Sequence, residues 1–129
     1  MCRAFAPTLE SIGSARDFVA EVLGASSVQP PIDPALVADV QLVVSELVTN
    51  AVSYGSGPAE VALTITTSQV QCSVTSVRHD EPPTLQGVTA PPPSSRTGRG
   101  LAIVNALTDS LVATMEDSTW TADCRFDRR

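Results

Sequence analysis

The sequence predicts an α+β fold: a two-layer α/β sandwich with helices on one face of a mainly antiparallel sheet. Three observations predict it. The element signals run helix, helix, strand, strand, long loop, helix, strand, strand. The second helical stretch carries an apolar stripe as wide as a helix laid on a sheet requires. The strand signals come in pairs, with residues alternating apolar and polar at period two.

The first helix is read over "PTLESIGSARDFVAEVLGAS", where Leu9, Ile12, Phe18, Val19, Val22 and Leu23 recur at helical spacing and Gly24 ends the run. "SVQPPID" is a linker. Asp33 then caps, and Pro34 starts, the second helix, "PALVADVQLVVSELVTNAVSY". Its stripe is Leu36, Val37, Val40, Val43, Val44, Leu47 and Ala51, and it stops at "GSGP". "AEVALTITT" alternates Val61, Leu63 and Ile65. "QVQCSVTSV" alternates Val70, Cys72 and Val74, and the short "TTSQ" between them makes a hairpin. From Arg78 to Arg99 the pattern is lost, in a stretch with five prolines; a loop of this length in a small domain is functional or disordered. "GLAIVNALTDS" predicts a third helix opening at Gly98–Gly100. "LVATME" and "TWTADCRF" predict a closing hairpin, with Trp120, Ala122, Cys124 and Phe126 on one face.

The chain has 129 residues, which fits one domain, 1–129. Hydrophobic residues make up 43%, and only five residues are aromatic, so the core is expected to be aliphatic. A net charge of −6 argues against non-specific binding to nucleic acid or to an anionic membrane, both of which need a basic face. Cys2, Cys72 and Cys124 are scattered and in no CxxC spacing, which argues against a disulfide framework or a zinc site. Cys72 and Cys124 read as small core residues. No apolar run is expected to approach membrane-spanning length, and "MCRAFAPTLE" has no signal-peptide apolar region. A cytoplasmic, reducing location is expected.

Glu46 and Asn50 stand four residues apart and share one helix face, with Ser53 a turn further on. They border the core-facing stripe of Val43 and Leu47. An amide oxygen beside a carboxylate suits a hard cation such as Mg²⁺, which takes oxygen ligands and is completed by substrate phosphates. The carboxylate could also accept a proton from an attacking hydroxyl. On spacing alone, a solvated helix face carrying the two by accident is the commoner case. In "TGRGLAIVNAL", Gly98 and Gly100 allow close backbone approach, the helix start offers free N–H groups, and Arg99 adds a charge that reaches a phosphate. A lone GxG is equally often a plain helix entry. In "VRHDEPP", Asp80 opens the long loop, where its carboxylate could accept the exocyclic amine of an adenine; alone, a turn residue before Pro82 is the favoured reading. His79, the one histidine, reads as a surface residue. The order of these signals outweighs each singly. One ATP could meet metal at Asn50, its adenine at Asp80, its phosphates at Gly98–Gly100, and the 79–97 loop as a flexible lid.

That order resembles the GHKL (Bergerat-fold) ATPase superfamily, and within it the small bacterial anti-sigma-factor serine/threonine kinases. The resemblance covers nearly the whole chain. "LVVSELVTNAVSYG" resembles the family's N box, with its E-x-x-x-N core, and is the most specific match. "TGRGLAIVNAL" resembles the G2 box, and "SARDFVAEVL" sits where the family has its first helix. The resemblance implies ATP and Mg²⁺ as cofactors, with Asn50 on the metal and Glu46 activating a serine or threonine hydroxyl of a partner protein. It implies that Gly98, Arg99, Gly100 and Leu101 form the phosphate-binding stretch, that Asp80 recognises adenine, and that Thr119 supports the adenine site. It further implies partner switching: a sigma factor is held, then released when an anti-anti-sigma (STAS-type) antagonist is bound and phosphorylated. Many such proteins are homodimers. No phosphoacceptor-histidine helix precedes the domain, which disfavours a sensor histidine kinase.

One departure bears on function. The family's G1 box is often D-x-G-x-G, and "HDEPPTLQG" lacks the glycines after Asp80. Prolines there stiffen the loop and remove N–H donors. Continuing the alternation Val70, Cys72, Val74 lands on Ser76 rather than Asp80. Asp80 is preferred here for its distance to Gly98. If Ser76 holds the acid's place, the alternative follows: a catalytically degraded module that regulates a partner by binding alone, with weak or no ATP binding.

Overall fold

The computed structural model describes residues 1–54, 57–77 and 104–128. Its elements are β1 (Cys2–Phe5), α1 (Glu10–Gly24), α2 (Pro34–Tyr54), β2 (Ala59–Ile65), β3 (Gln69–Val77), β4 (Ser110–Glu116) and β5 (Thr119–Asp127). The strands form one sheet in the order β1-β2-β3-β5-β4, and each of these neighbouring pairs is antiparallel. Both helices lie on one face of it, so the α+β sandwich is the architecture observed.

Local chemistry explains where the elements begin and turn. The Asp33 carboxylate accepts a hydrogen bond from the Ala35 N–H at 2.8 Å, satisfying one of the free donors at the start of α2. Pro34 gives up no bond there, because the first-turn N–H has no helical partner. The β2–β3 hairpin is closed by Thr66, whose hydroxyl accepts from the N–H groups of Ser68 and Gln69 at 3.3 and 3.1 Å. The β4–β5 hairpin turns on Asp117 and Ser118, with φ of 48° and 69°. Two successive positive-φ residues make the tight turn whose twist matches antiparallel strands.

Three expectations are corrected. Leu9 is not part of the buried stripe of α1: it is the N-cap residue and 76% exposed. β1 carried no recognisable signal, because only Phe5 of its four residues is buried and period two cannot be seen in so short a run. It is held by register with β2 and by Phe5, which meets Phe18 edge-on at 5.9 Å between ring centroids. The third correction concerns α2. Pro34–Ser53, at a mean hydropathy of 1.5, is long and apolar enough to cross a membrane by length and composition. In the fold that apolar stripe is already covered, since Val40, Val43, Val44, Leu47 and Val48 are fully buried against α1 and the sheet.

The core lies between helices and sheet and is mostly aliphatic, though its largest fully buried side chains are the aromatics Trp120, Phe18 and Phe126. It is built from the valines and Leu47 of α2, Ala15, Phe18, Val19 and Leu23 of α1, and the inward residues of β2, β3 and β5. Cys72 and Cys124 are among them. Of the third predicted helix, 104–107 is described and is helical, with Val104 buried; Thr108 closes it, donating from both N–H and hydroxyl to the Val104 carbonyl.

Candidate functional site

The topology gathers polar residues at one end of the sandwich. α2 passes into β2 within a few residues, so its last turns lie over the start of β2. That start pairs with the end of β3, with Glu60 opposite Thr75. The end of β3 in turn pairs with the start of β5, with Ser76 opposite Trp120. The C-terminal turns of α2, Ser76 and Trp120 therefore share one end of the molecule.

Asn50 is 4% exposed on this part of α2. Glu46, one turn earlier, is half-buried, and Ser53 is exposed. Along this face the helix is half-buried at Glu46, buried at Asn50 and exposed at Ser53. Neighbouring hydroxyls do not compete for that face. Ser45 donates to the Leu42 carbonyl at 2.7 Å and Thr49 to the Ser45 carbonyl at 2.6 Å, so both are turned back onto their own helix. Asn50 is thus a buried amide beside a largely apolar core.

Ser76 is the residue whose position the strand alternation foresaw. It is 2% exposed and faces the helix layer with Val70, Cys72 and Val74. Its cross-strand neighbour Trp120, also buried, belongs to the same end and was read only as core. Thr119 is half-buried in register with Val77; the alternation of β5 puts it on the sheet's other face, so it is not brought together with Glu46 and Asn50. Asp80, Gly98, Arg99, Gly100 and Leu101, and the 79–97 loop, lie outside the described residues.

The donor chemistry fits the implied cofactors. Glu46 and Asn50 supply hard oxygens of the type Mg²⁺ prefers. Among the described residues no group of three or more His, Cys, Asp or Glu could hold a metal ion. A separate concavity of about 320 Å³ lies on the open face of the sheet, lined by Thr64, Gln71, Ser73, Val112, Asp123 and Arg125 among others. It is on the opposite side from Asn50 and plays no part in the site.

A helix carrying Glu46 and Asn50 over an antiparallel sheet of this order is consistent with the resemblance to GHKL-type domains. The family model for the histidine kinase-like ATPase domain matches residues 5–121, and the chain belongs to that family. Among solved structures, the chain is similar to that of the RsbU and RsbW domains of Rv1364c from Mycobacterium tuberculosis, at 20% identity and a TM-score of 0.72; the match covers 100% of this chain and 33% of that one. It is also similar to the histidine kinase domain of the blue-light activated histidine kinase EL346 from Erythrobacter litoralis, at 15% identity and a TM-score of 0.57, covering 91% of this chain and 63% of that one. At these identities the likeness is one of fold, and the chain spans about a third and under two thirds of the two structures. Comparison with the curated proteins found no match.

Proposed function

We propose that this domain, taken as one unit over 1–129, is an anti-sigma regulatory factor with ATP- and Mg²⁺-dependent serine/threonine kinase activity towards an anti-anti-sigma antagonist. The observation that carries the reading is the placement of buried Asn50 beside half-buried Glu46 at the rim of the core. Family membership supports ATP as the nucleotide. The motif resemblance and the likeness to a structure containing an RsbW domain support the anti-sigma assignment. In this reading the Asn50 amide oxygen helps hold Mg²⁺, which offsets phosphate charge. The Glu46 carboxylate accepts the proton of the attacking hydroxyl. Asp80 serves the adenine, and Gly98, Arg99, Gly100 and Leu101 the phosphates; Thr119, on the sheet's other face, is left out of the site. The protein works in the cytoplasm, on a sigma factor and an antagonist, as a homodimer.

The test is transfer of labelled phosphate from Mg-ATP to a cognate antagonist. Glu46→Gln is expected to abolish transfer and leave Mg-ATP affinity intact. Transfer at the wild-type rate in that variant would remove Glu46 as base, and no transfer by the wild type, with ATP bound, would sink the kinase claim.

Ser76 favours a second reading. It is buried on the helix-facing side at the end of β3, where the alternation places the residue that would meet the base. A hydroxyl there is a weaker, uncharged acceptor than a carboxylate. In this reading the domain regulates its partner by binding alone. Calorimetry separates the two: micromolar Mg-ATP affinity lost in Asn50→Ala supports the kinase, and no binding up to millimolar ATP supports the module.

A further inference from the structure

The nucleotide reading leaves one pair of thiols unused. Cys72 on β3 and Cys124 on β5 are directly opposite in the antiparallel register. Both face the helix layer, 1% and 3% exposed, and both are free thiols. The shared register sets the two side chains next to each other on that face. Opposed residues of an antiparallel pair have Cα atoms about 4.5 or 5.5 Å apart, according to pair type. Both values fall within the roughly 4.4–6.8 Å that a disulfide spans. The third cysteine cannot compete from within the same molecule. Cys2 is exposed and pairs with Ala62 on an edge strand.

We propose that Cys72 and Cys124 are an oxidative modification site, closing into a cross-strand disulfide under a peroxide. One thiolate attacks a peroxide oxygen and the O–O bond breaks, giving a sulfenic acid and hydroxide, which takes up the proton released by the thiol as water. The second sulfur attacks the sulfenic sulfur; the S–S bond forms and a second water leaves with the remaining thiol proton. Two thiols and one hydrogen peroxide become one disulfide and two waters, with sulfur oxidised by two electrons and peroxide reduced by two. Contact with Cys124, burial and the nearby Asp123 carboxylate raise the Cys72 thiol well above its ordinary value. The pair is therefore slow to react and needs a small oxidant, whereas exposed Cys2 reacts first. The bridge would close a loop from 72 to 124, restricting the unfolded chain while joining strands that are already paired.

The test uses the full chain carrying Cys2→Ser, treated with hydrogen peroxide, then denatured and alkylated. The expected result is an intact mass lower by two hydrogens, no alkylation at either cysteine, and a crosslinked peptide joining Cys72 to Cys124. The unfolding midpoint should rise by several degrees and return on treatment with dithiothreitol. Thiols that still alkylate, after exposure long enough to oxidise Cys2 fully in the wild type, would overturn the proposal. So would oxygen added to each sulfur without a bridge. Adding Cys72→Ala should leave Cys124 unbridged and abolish the rise in midpoint; a rise that persists there would also overturn it.

Discussion

The two halves of α2 differ in what they bury. From Pro34 to Val44 the inward positions are aliphatic, and polar residues serve the helix boundary or its neighbour. Asp33 caps the start, and Gln41 donates to the Arg16 carbonyl on α1 at 3.1 Å. From Ser45 to Ser53 the same helix continues to bury Leu47, Val48 and Ala51, but it also buries Ser45 and Asn50. Ser45 is locally compensated by its own helix. Asn50, 4% exposed, is a second polar side chain buried in this half. The first half buries only apolar side chains, and the second buries polar ones as well, which is the difference that the proposed site would account for.

Substitutions along the helix would sharpen or break that contrast. The largest effect is expected from Leu47→Ala, which empties a fully buried position: a loss of about 2–5 kcal/mol in urea unfolding. A loss well under 1 kcal/mol would show that the core collapses around the gap and that the packing account of α2 is wrong. Next comes Asn50→Ala. It should weaken Mg-ATP binding at least tenfold, about 1.4 kcal/mol, while costing less stability than Leu47→Ala. Equal stability losses with unchanged affinity would make Asn50 a structural residue and erase the contrast between the halves. Asp33→Ala removes the cap and should cost about 1 kcal/mol by thermal unfolding, with nucleotide affinity unaffected. The smallest effect should follow Thr121→Ala, on the open face of the sheet, where its hydroxyl meets that of Thr75 at 3.5 Å. Such cross-strand pairs contribute roughly 0.2–1 kcal/mol, so a larger loss would mean that this face packs against something.

Much of the frame was legible because its signals are periodic. The stripe from Leu36 to Ala51 and the alternations through Cys72 and Cys124 hold across whole elements, and each reappears as buried surface. β1 was not legible, because four residues carry no period and its strand character comes from pairing with β2. Leu9 misled for the reverse reason: it has the right spacing for the stripe of α1 but stands at the cap, before the helix has turned inward. Of the candidate site, the face shared by Glu46 and Asn50 was readable from i, i+4 geometry. Ser76 was reachable by continuing the β3 alternation, but Trp120 read only as core, because it comes to this end of the molecule through strand pairing.

The sequence by itself determined the class of fold, the composition of the core and the face shared by Glu46 and Asn50, since helical and strand periods are local properties of the chain. Only the tertiary structure decided how deep each lies, and that Cys72 meets Cys124 and Ser76 meets Trp120. Register between β3 and β5, more than forty residues apart in the chain, follows from burying one face of each strand against the same helices. No local pattern encodes that pairing.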